Sequence, residues 1–395
     1  MTEAPLKSGW VKVKFGEVVR LCTDRSSDPE ADGIERYVGL EHLEPEDLRI
    51  RRWGLVAEGT TFTSRFKPGQ VLFGKRRAYQ RKVAVADFEG VCSGDIYIFE
   101  STDPKHLLPE LLPYICQSKR FFEYAVGTSM GSLSPRTNWK HLKDFELKLP
   151  SLEEQKNISD VLSGLNAALE SYTDAHNSLH SLSFSLVNHS LQKANPKKIF
   201  NINDLGNKKD KPLLTGPFGS KLKTKYFQDD GVPVISIGSL QDNGLDHKEF
   251  FYLSAERAKD FDSYATEPGD IVFSRVADVG RCHLIGEMES GYIISSNLIR
   301  IRLKKEKIRP QFLWLLLRYS TVIRKQIAKI TTQAAGRLLV NTKTMSKLSF
   351  EIPNVQVQDS ILEDFNSIMS GSESLITRIE RCKKNISVFR ETLVM

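Results

Sequence analysis

The amino-acid sequence is written twice, and an internal repeat restricts the possible folds of a chain more than any composition does. Pro68-Gly69-Gln70-Val71-Leu72-Phe73 returns as Pro268-Gly269-Asp270-Ile271-Val272-Phe273, an offset of 200. Asn138…Phe145-Glu146-Leu147-Lys148-Leu149-Pro150 returns as Asn341…Leu348-Ser349-Phe350-Glu351-Ile352-Pro353, an offset of 203. Tyr37-Val38-Gly39-Leu40 matches Val234-Ile235-Ser236-Ile237 at 197, and Phe15-Gly16-Glu17-Val18 weakly matches Ile202-Asn203-Asp204-Leu205 at 187. The order is kept while the offset grows, as two copies with small loop insertions require. Four matches in one order are not chance.

Each copy closes on a heptad stripe. After Pro150 it runs through Ile158, Leu162, Leu165, Leu169, Tyr172, His176, Leu179, Ser183 and Leu186. After Pro353 it runs through Ile361, Phe365, Ile368, Ser372, Leu375, Ile379, Cys382, Ile386, Phe389 and Leu393, in register at the offset of 203. Alternating steps of four and three mark a coiled-coil seam. Ser151-x-x-Glu154 is a capping box, Asn354 holds the cap position of the second helix, and Asn195-Pro196 ends the first. A single stripe of this kind is ordinarily core packing; two of equal length, one per repeat, are better read as each other's partners. The first would extend roughly 66 Å at about 1.5 Å per residue. Antiparallel pairing would hold two globular blocks at opposite ends of a rod with a pseudo-twofold relation. His176 and His180 lie four apart but have no evident third ligand, so seam and surface roles are expected rather than a metal site.

The fold class expected is α+β: two mixed α/β blocks, 1–150 and 196–352, separated by helices at 151–195 and 353–395. Strand-like runs (Val71–Phe73, Lys82–Ala86, Ile96–Phe99, Ile271–Phe273, Leu298–Leu303) are divided by Pro-Gly, Asp-Gly and Ser-Gly turns. One apolar packing helix is predicted in each block, Leu107–Val126 and Pro310–Ile330. The net charge is +7, with an excess of two cations in 1–149 and nine in 196–352, while both helical tails are slightly acidic. A polyanion would therefore meet the blocks. No apolar run approaches the roughly 18 residues that span a bilayer, and the first residues do not read as a signal peptide. The five scattered cysteines fit neither a disulfide framework nor a zinc knuckle, so a reduced, cytoplasmic protein is expected.

The richest nucleic-acid signal follows the first Pro-Gly turn: Lys75, Arg76, Arg77, Tyr79, Gln80, Arg81 and Lys82, with five cations in eight residues. Lysine and arginine neutralise phosphates, arginine grips guanine O6/N7, Gln80 suits adenine, and Tyr79 offers a stacking face. A solvated charged loop is the equal alternative. The matching loop, Ser274–Arg281, keeps the position but changes the chemistry to Arg275 and Arg281. Gly216-Pro217-Phe218-Gly219-Ser220-Lys221-Leu222-Lys223 is a glycine-rich basic turn, able to present Ser220, Lys221 and Lys223 to phosphate or equally a plain surface turn. Gly127–Leu133 and Thr331–Arg337, the latter with Arg337, follow each packing helix and suit close approach to a backbone, although a helix stop explains their glycines as well.

No catalytic constellation is visible: no phosphate-binding G-x-x-x-x-G-K-[ST], no G-x-G-x-x-G, no H-E-x-x-H, no G-x-S-x-G and no Pro-Pro. Asp144-x-Glu146-x-Lys148 has a nuclease-like spacing, but its copy reads Lys347-Leu348-Ser349-Phe350-Glu351, so structure explains it better. A coiled-coil protein-interaction scaffold without DNA binding, and a self-sufficient nuclease or methylase, are the competing readings.

Leu149-Pro150-Ser151-Leu152-Glu153-Glu154-Gln155-Lys156-x-Ile158…Leu162 resembles the opening of the central helix in specificity subunits of type I restriction–modification systems, and Ile352-Pro353…Gln358-x-x-Ile361 is its looser second copy. Gly216–Leu222 is similar to a motif of that family's recognition domains. The resemblance covers nearly the whole chain. It implies a non-catalytic reader of double-stranded DNA, each block recognising one half of a bipartite asymmetric site and the helices fixing the spacer. It also implies two methylation subunits docked on the helices and a motor–endonuclease subunit. S-adenosylmethionine, ATP and Mg²⁺ would then be held by those partners and no cofactor by this chain.

Overall fold

The computed structural model describes residues 9–195, 197–206, 211–218, 222–241, 244–304, 306–334 and 336–393. The chain divides into two compact units, Met1–Thr173 with Ile376–Met395, and Asp174–Leu375. Each long helix is therefore shared: the central helix, Leu152–Lys193, and the C-terminal helix, Val355–Thr392, each contribute a segment to both units.

In the first unit, Val11–Lys14 pairs antiparallel with Glu146–Leu149, the strand that delivers the chain to the central helix. Lys12 pairs with Glu146 at 2.8 Å and Lys14 with Asp144 at 3.5 Å, so the nuclease-like triplet is engaged in strand pairing. A four-stranded sheet follows in the order Val19–Cys22, Ile96–Ser101, Val71–Gly74, Val83–Val85. A second has the order Gly54–Leu55, Arg36–Val38, Gly90–Cys92, Ser64–Phe66, and contains one parallel pair, Arg36–Val38 with Gly90–Cys92. The second unit repeats the plan. Lys197–Asn201 pairs with Ser349–Pro353, and a sheet runs Leu213–Thr215, Leu298–Ile301, Ile271–Ser274, Cys282–Leu284. Its smaller sheet, Phe251–Leu253, Val232–Ile235, Ile293–Ile294, again has one parallel pair. The weak matches at 15–18 and 202–205 are both one-turn helices.

The repeated Pro-Gly turn has the same cause in both units. Gly69 and Gly269 take φ of 86° and 93°, the left-handed region that the third residue of a type II turn demands. Gln70 and Asp270 then each accept the N–H of the residue three earlier, Lys67 or Glu267, at 2.8 Å.

The packing helix predicted in each block is broken in two. Leu112–Gln117 and Lys119–Gly127 meet at Ser118, and Pro310–Tyr319 and Thr321–Ile330 meet at Ser320. Each serine is extended, and its hydroxyl accepts the N–H of Phe121 (3.2 Å) or Ile323 (3.4 Å), starting a new helix. Apolar periodicity runs through the break, which is why it is invisible in the pattern.

The heptad stripes are where the helices bury themselves. Every seam position from Ile158 to Leu186 and from Ile361 to Leu393 is buried or half-buried. In the first unit Ile158, Leu162, Leu165 and Leu169 share one apolar cluster with Ile386, Phe389 and Leu393 and with the packing helices; Ile379 is half-buried there. In the second unit Val187, Leu186, Ile361 and Phe365 join the corresponding cluster, with Ile368 and Leu375 half-buried. The pairing there is antiparallel: His176 Nδ1 lies 3.3 Å from the Ser372 hydroxyl, and Ser183 donates to Met369 Sδ at 3.2 Å. His180 packs against the Tyr319 ring at 5.4 Å. Among the described residues no helix is long and apolar enough to cross a membrane.

Candidate nucleic-acid interface

The loop after each Pro-Gly strand is fastened to the loop after the packing helices. In the first unit Arg77 N donates to Pro135 O (2.7 Å), Thr137 N to Lys75 O (2.9 Å) and Lys75 N to Asp95 O (2.9 Å). In the second unit Ala277 N donates to Leu338 O (2.9 Å), Val340 N to Arg275 O (2.8 Å) and Arg275 N to Asn297 O (3.0 Å). Arg77 and Ala277, equivalent in this scheme, are two of only four non-glycine residues with positive φ among those described, at 53° and 63°. Such strain is uncommon and is held only where surrounding bonds over-determine it. The segments 74–82 and 274–281 are thus joined to 135–137 and 338–340; of the candidates that follow the packing helices, Met130 joins the first through Arg136, and Thr332–Ala334 and Arg337 join the second through the hairpin that carries Leu338 and Leu339.

The cations of the first loop are engaged within their own unit. Lys75 sits over the Tyr97 ring at 4.6 Å, and burial pulls its amine below the ordinary lysine range against the opposing effect of Asp95. Arg76 Nη1 pairs with Asp95 at 3.3 Å, and Arg76 Nη2 and Arg77 Nη2 donate to the Ser134 hydroxyl at 3.3 and 3.2 Å. Arg81 donates to Gln117 O at 3.1 Å, and Lys82 to Leu40 O at 2.7 Å. Gln80 is half-buried, while Tyr79 is exposed with its ring free for stacking. The loop is therefore an ordered platform rather than a fringe of solvated side chains.

Sequence reasoning missed two members of this surface, Asp95 and Arg136. The Asp95 carboxylate accepts Arg136 Nε on Oδ1 at 2.8 Å, and its Oδ2 receives Arg136 Nη2 at 3.5 Å and Arg76. Partial burial raises the carboxyl pKa, but the bonds from Arg136 and Arg76 outweigh it and hold the group below the usual carboxylate range. At the equivalent backbone positions the second unit has Val276, Asn297 and Leu339, and a backbone bridge joins Val276 to Leu339 as one joins Arg76 to Arg136. No local motif announces the cluster, because its three members come from three separate segments.

In the second unit Arg275 is directed inward, donating to Val340 O and Ser296 O at 3.1 Å each, and burial lowers its pKa. Arg281 donates to Leu240 O at 3.0 Å and pairs with Asp278. Arg337 is exposed on a hairpin formed by Thr332–Ala334 and Arg337–Leu339. Lys223 is exposed, whereas Ser220 and Lys221 lie outside the described residues. Gly216 packs against the strand entry: a Cβ there would lie 2.2 Å from Ser295 O. Among the described residues no group of three or more His, Cys, Asp or Glu is placed to hold a metal ion.

Residues 7–179 and 195–381 each match the family described as type I restriction modification DNA specificity domain. The EcoDI specificity subunit of Escherichia coli is 26% identical over 162 residues, covering 39% of this chain and 34% of that protein. The MjaVIII specificity subunit of Methanocaldococcus jannaschii is 19% identical over 407 residues, covering 95% of this chain and 91% of that protein. The chain thus spans about a third of the first relative and nearly all of the second. The crystal structure of a type I restriction–modification S subunit from M. genitalium superposes with a TM-score of 0.60 at 14% identity, covering 99% of this chain and 98% of that one. A chain from a type I restriction–modification assembly gives 0.52 at 16% identity, covering 99% of both chains. These two likenesses establish the fold. The chain belongs to the family of type I restriction–modification DNA specificity domains, and carries that domain twice.

Proposed function

We propose that this chain is the non-catalytic DNA-reading subunit of a type I restriction–modification complex. Each unit reads one half of a bipartite, asymmetric duplex site. The paired helices set the unread spacer and dock two methylation subunits, and a motor–endonuclease subunit completes the assembly in the cytoplasm. S-adenosylmethionine, ATP and Mg²⁺ are held by those partners and none by this chain.

The observation that carries this reading is a constant frame with exchanged chemistry. The two loop clusters share backbone bonds and left-handed residues, yet present Arg76, Asp95 and Arg136 in one unit and Val276, Asn297 and Leu339 in the other. Readers of two different half-sites need that combination, because base edges differ while the groove does not.

Binding to a labelled duplex, followed by fluorescence anisotropy between 50 and 200 mM salt, is expected to weaken by about a thousandfold, since phosphate contacts release counterions. Absent or salt-insensitive binding would instead favour a protein-interaction scaffold. Exchanging one globular block for that of a relative is expected to change one half-site only, read by sequencing the methylated genome of a host carrying the chain with its methylation subunit. Alteration of both halves would contradict independent reading.

A further inference from the structure

We infer that Arg136, buttressed by Asp95, reads a guanine in the half-site of the first unit; the inference rests on the reading that this unit binds a specific duplex. The guanidinium is held on its inner edge. Asp95 takes Nε and one N–H of Nη2, at 2.8 and 3.5 Å. Nη1 and the outer N–H of Nη2 have no protein partner among the described residues, and the side chain is 52% exposed while Asp95 is 19% exposed. That outer edge is a fork of parallel donors matching guanine O6 and N7.

The backbone under Arg136 is equally fixed. It exchanges both hydrogen bonds with Met130, at 2.9 and 3.0 Å, and is bridged to Arg76 on the other side. A reading residue gains discrimination from such fixing, because little rotamer freedom remains to be lost on contact.

Two arguments separate base reading from the alternatives. Asp95 is shared by Arg76 and Arg136, so the cluster keeps one net positive charge; what favours a base edge over a phosphate is the planar pair of donors that the carboxylate fixes in one orientation. The second unit argues against a purely structural role, since Val276, Asn297 and Leu339 occupy the same backbone positions there and the frame persists. What varies between the units is the side chains that would touch DNA.

The full chain is to be offered a library of randomised duplexes and the bound fraction sequenced. Wild type is expected to enrich a bipartite motif with a guanine–cytosine pair in one half. Arg136→Lys keeps the charge but loses the fork; together with Arg136→Leu, it is expected to lower the preference at that one pair about tenfold, leaving the other columns and, for Arg136→Lys, the salt dependence unchanged. Asp95→Asn should weaken the same column by less. An unchanged motif, or a uniform loss across all columns, would overturn the assignment of Arg136. No enriched motif from wild type would overturn the reading beneath it, and the inference with it.

Discussion

Replacing either Gln155 or Gln358 with alanine is expected to destabilise the chain by about 3–4 kcal/mol, from three stranded backbone groups at roughly 1–3 kcal/mol each less what water recovers. The two glutamines are 1% and 0% exposed. Gln155 accepts the Leu108 N–H at 3.0 Å and donates to His106 O at 2.9 Å and Pro150 O at 3.0 Å. Gln358 accepts the Arg309 N–H at 2.9 Å and donates to Lys307 O at 3.3 Å and Pro353 O at 2.9 Å. One amide thus staples the start of each long helix to the entrance of the packing helices in its unit. The loss matters because domains are stable by only about 5–15 kcal/mol. Gln155→Glu should be as harmful, since it turns a donor facing two carbonyls into an acceptor. Urea denaturation checks both, and a shift below about 1 kcal/mol in either variant would show that water serves those groups as well.

Asp270→Ala should be comparably damaging, at about 3–5 kcal/mol, because breaking a buried ion pair leaves its partner desolvated. The Asp270 side chain is 3% exposed, and its oxygens take Arg302 Nε at 2.8 Å and Nη2 at 2.7 Å. Its Oδ2 also closes the Pro-Gly turn through the Glu267 N–H at 2.8 Å. The first unit solves the same problem with a different pair: Gln70 closes its turn and donates to Glu100 Oε2 at 2.7 Å. The strand registers Val71 with Phe99 and Ile271 with Ile301 make Glu100 and Arg302 equivalent. Thermal unfolding of Asp270→Ala beside the wild type measures the cost, and an unchanged midpoint would show that Glu267 and Ala265 O satisfy Arg302 unaided.

Much of this fold is legible in the sequence. The Pro-Gly turns and the strands after them fall where the repeat places them, and the weak match of 15–18 with 202–205 marks equivalent positions, although nothing in it announces the one-turn helices found there. The heptad stripes name the buried helix positions because a seam is a one-dimensional pattern. Other features are hidden for physical reasons. Ser118 and Ser320 break an unbroken apolar pattern by a local hydroxyl bond. Gln155 and Gln358 read as polar helix residues, and only tertiary packing turns them into buried staples. The loop 74–82 is legible as basic, but its arginines point into hydrogen bonds that no composition discloses. The cluster of Arg76, Asp95 and Arg136 is closed by backbone bridges between distant segments, and spacing rules do not reach across such distances.

The sharing of the long helices has a consequence for synthesis. Ile386 and Leu393 complete the apolar interior that Phe15 and Leu162 begin. On a ribosome, the first unit therefore lacks Ile386 and Leu393 in its interior until residues 376–393 have been translated. The second unit, closed within Asp174–Leu375, is ready before that. The usual vectorial order, earliest made and earliest folded, is therefore altered: the unit that begins first is the last to receive all of its interior side chains.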